Sequence, residues 1–263
     1  GRKLIDAEIP DRTLSEEVVL RAENLSAYPY FENINFELRK GEVIAITGLH
    51  GDGRGELAEA LFGDRKLSTG DVYIYDKKLN KNSIKSAMKS GVGMVPRNRK
   101  ERSIIKDMNI LDNLAMAYFT SIHKGIIRRI DEEERFEKNR KITSIKIGNP
   151  YDNINSLSGG NQQKIIIGRW LEAGSKIYIL DNPTQGIDVG AKFEIYSLIN
   201  SLAQAGKSII IFSAEFPEIY KVADRCLVMY KGKIQAELSR ENLTEVNVMY
   251  YATGGGNKND KGE

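Results

Sequence analysis

Five short runs dense in aliphatic and β-branched residues constrain this chain most: residues 42–47 (EVIAIT), 92–95 (VGMV), 176–180 (KIYIL), 208–212 (SIIIF) and 226–230 (CLVMY). Runs without polar alternation belong to strands buried on both faces, as in a parallel sheet covered by helices. Stretches of helical composition lie between them, at 57–62, 109–118, 131–145 and 161–173. This alternation predicts an α/β fold with a largely parallel sheet. Residues 18–22, 34–38 and 71–75 are different, because apolar and polar positions alternate along them. They predict a smaller antiparallel layer at the edge, facing solvent on one side. Residues 108–156 form a charge-rich helical block ahead of the glycine pair Gly159-Gly160.

At 263 residues the chain can bury one full core. A net charge of +3, with Lys100, Arg102, Arg128 and Arg129 scattered, offers no dense basic block, so no nucleic-acid partner is expected. The single Cys226 excludes an internal disulfide and fits a reducing compartment. No apolar run approaches the roughly 20 residues needed to span a bilayer.

Two segments carry phosphate chemistry. Strand 42–47 runs into Gly48, Gly51, Gly53, Arg54, Gly55 and Glu56, and then into the helical stretch 57–62. Strand, glycine loop and helix together make the context of a P-loop, G-x-x-x-x-G-K-[ST]. Gly48 and Gly53 fit the pattern, but Arg54 stands where the lysine belongs and Gly55 where the hydroxyl belongs. Arginine keeps the charge without the compact ammonium. Glycine removes a Mg²⁺ ligand outright, and Mg²⁺ demands near-octahedral oxygen ligation. Weakened nucleotide binding is the expectation; the alternative is a turn with only a structural role. The second segment is Leu157 to Lys164, LSGGNQQK. Ser158 is a good N-cap, and Gly159 and Gly160 let backbone amides approach an anion at the positive end of the helix that follows. The alternative here is an ordinary capped helix.

The eight residues LSGGNQQK resemble the signature motif of ABC-type ATPases, the motors of ATP-driven transporters. In that family the signature reaches across a dimer interface to an ATP held by the partner domain. The resemblance implies that Ser158, Gly159, Gly160 and Gln162 face a partner's ATP. It makes 176–181 a Walker B strand with Asp181 as the Mg²⁺ carboxylate, and makes Asp188 the D-loop aspartate. It also marks further departures. Asn182 stands at the catalytic glutamate's place and cannot accept a proton. Ala214 stands at the histidine's place, and Arg97 at the glutamine of the Q-loop. Arg97 would either contact a phosphate or lie at the surface. His50 and His123 are elsewhere, His50 within the phosphate loop as a nucleotide contact or a solvated residue.

Residues 18–252 are similar, more narrowly, to the second ATP-binding half of tandem ABC importers for monosaccharides of the ribose, galactose and xylose type. Arg54 before Gly-Glu-Leu, Val95-Pro96 leading into Arg99-Lys100, 186–192 (GIDVGAK), 194–199 (EIYSLI) and the short adenine-side loop 27–30 (AYPY) carry this likeness. It implies a RecA-like P-loop core, an antiparallel β subdomain and a helical signature subdomain at about 97–173. Residues 1–17 are expected to be a linker remnant and 253–263 a disordered tail. ATP and Mg²⁺ are the implied cofactors, with Mg²⁺ weak or absent in this half's own site. The implied partners are a first ATP-binding half in the same chain, membrane permease subunits and, indirectly, an extracytoplasmic solute-binding protein. The expected place is the peripheral, cytoplasmic face of the membrane, with permease docking near Arg97 and 108–116 (MNILDNLAM). No intact catalytic residue is expected, so hydrolysis by this half is doubtful. An active homodimeric ATPase, a nucleoside or signalling-sugar importer, and a non-transport ABC module remain as alternatives.

Overall fold

The computed structural model describes residue 12 and residues 14–80, 82–121 and 129–256. His123 and the greater part of both expected terminal segments, residues 1–11, 13 and 257–263, lie outside the described residues. The elements run β1 (Val18–Ala27), β2 (Phe31–Arg39), β3 (Val43–Gly48), α1 (Arg54–Phe62), β4 (Thr69–Ile74), β5 (Lys77–Lys78), α2 (Ile84–Lys89), β6 (Val92–Val95), α3 (Arg99–Arg102), α4 (Ile110–Ser121) and α5 (Arg129–Thr143). They continue with α6 (Gly159–Glu172), β7 (Ile177–Asp181), α7 (Val189–Gln204), β8 (Ser208–Phe212), α8 (Phe216–Val222), β9 (Arg225–Tyr230), β10 (Lys233–Ser239) and α9 (Glu245–Ala252).

The five apolar runs assemble into one sheet, ordered β10-β9-β3-β8-β7-β6, with parallel pairing everywhere except the β9–β10 hairpin. Every residue of β3, β6, β7 and β8 is buried, which is why these segments lack alternation. Parallel register brings the strands' C-terminal ends to one edge. Val95 pairs with Leu180, Asp181 pairs with Phe212, and Ile46 pairs with Phe212 from the other side. The loops leaving β3, β6, β7 and β8 therefore converge, and ligands of open α/β sheets bind at such an edge.

The alternating segments form a second, antiparallel sheet, β2-β1-β4-β5. β1 and β2 run longer than their alternation suggests. Asn24 and Asn33 sit at positive φ, and the β1–β2 register shifts between Ala22 and Leu25. An irregularity of that kind breaks the period of two without ending the strand. The helical block packs on α6, against which both α4 and α5 lie. In the 108–116 segment Ile110, Leu111, Leu114 and Ala115 are buried, so they hold the subdomain together and offer nothing to a partner. The start of the expected disordered tail is ordered, which corrects that boundary. Gly254 N–H donates to Tyr251 O and Gly255 N–H to Tyr250 O, while Gln235 Nε2 donates to Gly255 O. Low-complexity composition understates order where backbone groups find partners on a folded neighbour. Among the described residues no helix is long and apolar enough to cross a membrane.

Candidate nucleotide pocket and signature face

Gly53 adopts the left-handed conformation as the N-cap of α1, with φ 89°. A Cβ there would overlap the carbonyl of Tyr30, so glycine is required by both backbone angle and space. The same contact places the exposed turn residue Tyr30, in the expected adenine-side loop, beside the glycine loop. Gly51 is exposed at φ 85° with open space around it. Glu56 lies half-buried in the first turn of α1, and His50 is exposed.

Two side chains of the loop turn inward. Arg54 is buried, and its Nη1 donates to the Gly48 carbonyl at 2.8 Å. Asp52 is buried too, and its Oδ1 accepts the Arg54 N–H at 3.0 Å while Oδ2 has no partner. Burial pushes the Asp52 carboxyl above the usual carboxylate range, against the pull of the Arg54 amide. The loop thus keeps the shape of an anion cradle, but one of its amides is already taken by an internal carboxylate.

Opposite the loop, Asp181 ends β7 with 5% of its side chain exposed. Its Oδ1 accepts Asn182 Nδ2 at 2.7 Å and its Oδ2 accepts Arg97 Nε at 3.5 Å. Burial raises the Asp181 carboxyl and the Arg97 charge opposes that rise. Arg97 therefore resolves in an unexpected way: its side chain is 40% exposed, yet its guanidinium reaches over the pocket floor. A Cβ on Gly55 would overlap Arg97 Nη2. These residues do not fit Mg²⁺. Position 55 offers no oxygen, both Asp181 oxygens are engaged by protein donors, and a cation occupies the approach. Among the described residues no group of three or more His, Cys, Asp or Glu could hold a metal ion. Ala214 is exposed in the loop after β8 and brings no functional group.

The signature lies on a separate face. Ser158 caps α6 and its Oγ accepts the Asn161 N–H at 3.4 Å. The helix begins at Gly159, two residues before the expected start, because the cap draws both glycines into its first turn. Ser158 is exposed and Gly159 half-buried. Gly160 packs so closely on α7 that a Cβ would come within 2.6 Å of Ala191 Cβ. Gln162, expected to face the partner's ATP, instead turns inward: it is buried, its Nε2 donates to Ile154 O, and its Oε1 accepts Arg99 Nε. Lys164 is buried as well, donating to Ser144 O at 3.0 Å and pairing with Glu194 at 2.6 Å. Within LSGGNQQK Ser158 is exposed and Leu157, Gly159 and Asn161 are half-buried, while Gly160 and residues 162–164 are buried and anchor the helix.

One residue of this face lay hidden in the sequence. Arg99 is buried, and it donates from Nη1 to Gln185 O at 2.8 Å and from Nη2 to Gly186 O at 3.2 Å. With its Gln162 bond it ties the signature helix to the loop that leads to Asp188. Asp188 itself is exposed and caps α7, accepting the Ala191 N–H at 2.9 Å. A cleft of about 630 Å³ opens here, bordered by Lys100, Lys106, Gly159 and Asp188. Its basic rim suits a phosphate brought from outside. A cation followed by a helix-forming stretch was visible in the sequence, but the carbonyls that Arg99 meets lie 86 and 87 residues away.

A strand–glycine loop–helix on a parallel sheet, with an antiparallel annex and a helical annex ending in a capped SGG turn, defines a P-loop ATPase cassette. Comparison with protein families matches residues 31–185 to "ABC transporter". The chain is 40% identical over 255 residues to "Ribose import ATP-binding protein RbsA" of Clostridium tetani, covering 96% of this chain and 50% of that protein. It is 40% identical over 257 residues to the protein of the same name from Bacillus subtilis, covering 97% of this chain and 52% of that one. Among solved structures, the ADP conformation of an ATP-binding cassette of an ABC transporter superposes with a TM-score of 0.75 at 22% identity, covering 90% of this chain and 99% of that one. A dimeric cassette bound to ADP and Pi superposes at 0.73 with 20% identity, covering 84% and 98%. This chain belongs to the ABC transporter family, in its ATP-binding cassette. It spans about half the length of the curated relatives it matches.

Proposed function

We propose that this chain is the second ATP-binding half of a tandem ABC importer for a monosaccharide, ribose being the sugar named for its relatives. It offers Ser158, Gly159 and Gly160 to an ATP held by the first half, while its own pocket binds nucleotide without hydrolysing it. The first half, membrane permease subunits and an extracytoplasmic solute-binding protein are its partners, and its place is the cytoplasmic face of the membrane. Nucleic acid is not among its partners.

One observation carries the reading: an exposed Ser158 cap on a helix that starts with Gly159 and Gly160, beside a basic cleft, in the same chain as a pocket lacking hydroxyl, glutamate and histidine. A capped helix N-terminus adds roughly half a positive charge to that turn. In the pocket, Asn182 cannot serve as general base, and such assistance typically contributes 10²–10⁴-fold. In the tandem protein, Ser158→Arg should abolish ATPase and transport, because a bulky cation replaces the cap at the phosphate. Unchanged turnover would overturn the reading. Robust Mg²⁺-dependent hydrolysis by the isolated chain would favour an active homodimer instead.

A further inference from the structure

The departures at positions 55, 97 and 182 are one arrangement. A side chain at 55 would meet Arg97 Nη2, so Gly55 leaves open the space that the end of this arginine occupies. Asn182 completes the set, since its amide donates to the Asp181 oxygen that Arg97 does not reach. A glutamate at 182 would instead set a second carboxylate against Asp181. The buried Asp181 carboxylate thus has a guanidinium and an amide as donors, one on each oxygen, where a divalent ion would otherwise be its counter-charge.

We propose that Arg97 takes the place of the metal in this pocket, which binds a nucleoside triphosphate in its metal-free form. The inference rests on the pocket being a nucleotide site, as argued above. Arg97 engages Asp181 through Nε, and its Nη2 lies over Gly55 in the first turn of α1. Nη2 thereby sits at the loop-to-helix junction, the end of a P-loop at which the β- and γ-phosphates of a bound nucleotide would lie. A guanidinium binds phosphate oxygens through a planar donor fork and is never deprotonated. Mg²⁺ would have to enter against that fixed charge and find ligands only in water and phosphate.

Isothermal titration of the chain with ATP, once with Mg²⁺ and once with EDTA, tests this. Affinities equal within about twofold are expected. A gain of tenfold or more on adding Mg²⁺ would overturn the inference. Arg97→Gln should lower the affinity in EDTA by roughly tenfold or more, since it removes charged donors. Arg97→Gln combined with Gly55→Thr should restore a preference for Mg²⁺; its melting curve verifies folding, and the wild-type comparison stands without it. Absence of ATP binding in both buffers also overturns the inference, while leaving the signature's role to the separate Ser158→Arg test.

Discussion

Arg99 shows how much a single residue contributes when its acceptors come from distant segments. Three oxygens, from Gln162, Gln185 and Gly186, accept its protons in a buried place. Burial draws its guanidinium below the usual range, yet it stays charged at any physiological pH. Removing it leaves the buried Gln162 amide oxygen and the two loop carbonyls without their donor, and charge-assisted bonds are each worth about 1.5–3 kcal/mol. Arg99→Ala should therefore lower stability in urea by roughly 3 kcal/mol, whereas a surface arginine would change it by less than about 0.5 kcal/mol. A loss below 1 kcal/mol would remove Arg99 from its role as a tie. At this scale the sequence was a partial guide. Gly55, Asn182 and Ala214 are legible as departures because a pattern supplies the residue it would have there. That Arg97 Nη2 lies beside position 55 is not legible, since 42 positions and three strands separate the two residues in the chain.

Helix α6 is the element on which the molecule's proposed use depends, and its packing is tight. Asn139 of α5 is buried, and its Nδ2 donates to the Gly168 carbonyl at 2.6 Å. A Cβ at Gly168 would come within 2.5 Å of Asn139 Oδ1. Alanine normally favours a helix over glycine by about 1 kcal/mol. Overpacking typically costs about 1–3 kcal/mol, and Asn139 cannot withdraw without losing its bond. Gly168→Ala should therefore destabilise the protein, by about 1 kcal/mol net in urea unfolding; stabilisation would mean that α5 can move aside. The elements themselves were unequally legible. Strands with unbroken apolar runs were clear because burial on both faces leaves no room for polar residues. Helices α7, α8 and α9 and strand β10 lie outside the elements expected from the sequence. α7 did carry a signal, with Ile195, Leu198, Ile199 and Leu202 at helical spacing. β10 carried little, because an edge strand with one buried residue shows no alternation.

Across the whole molecule, buried carboxyls set the response to pH. Burial holds Asp52, Asp181, Asp224, Glu172 and Glu218 above their usual ranges. Such groups bind more protons folded than unfolded, so their contribution is full below the ordinary carboxylate pKa and is lost as pH rises through the raised values. Glu194 runs the other way, held low by the hydrogen bond from Lys164. Glu59 does too, where bonds from Arg102 and Arg65 outweigh burial. Their contribution is lost only as pH falls through values below the ordinary carboxylate range. The urea midpoint should therefore fall as pH rises out of the ordinary carboxylate range through these raised values, and Asp52→Asn should flatten that slope. A midpoint that rises steadily to pH 8 would contradict the balance of these shifts. The sequence by itself determined the layers, because hydrophobic period reports burial directly, and the glycine turn before α1 and the serine cap of α6, because glycine and serine at fixed spacing set local backbone geometry. Only the tertiary structure decided which charges meet. Arg97 with Asp181, and Arg99 with the Gln185 and Gly186 carbonyls, depend on parallel strands bringing their C-terminal ends to one edge, and no local pattern encodes which loops that edge will join.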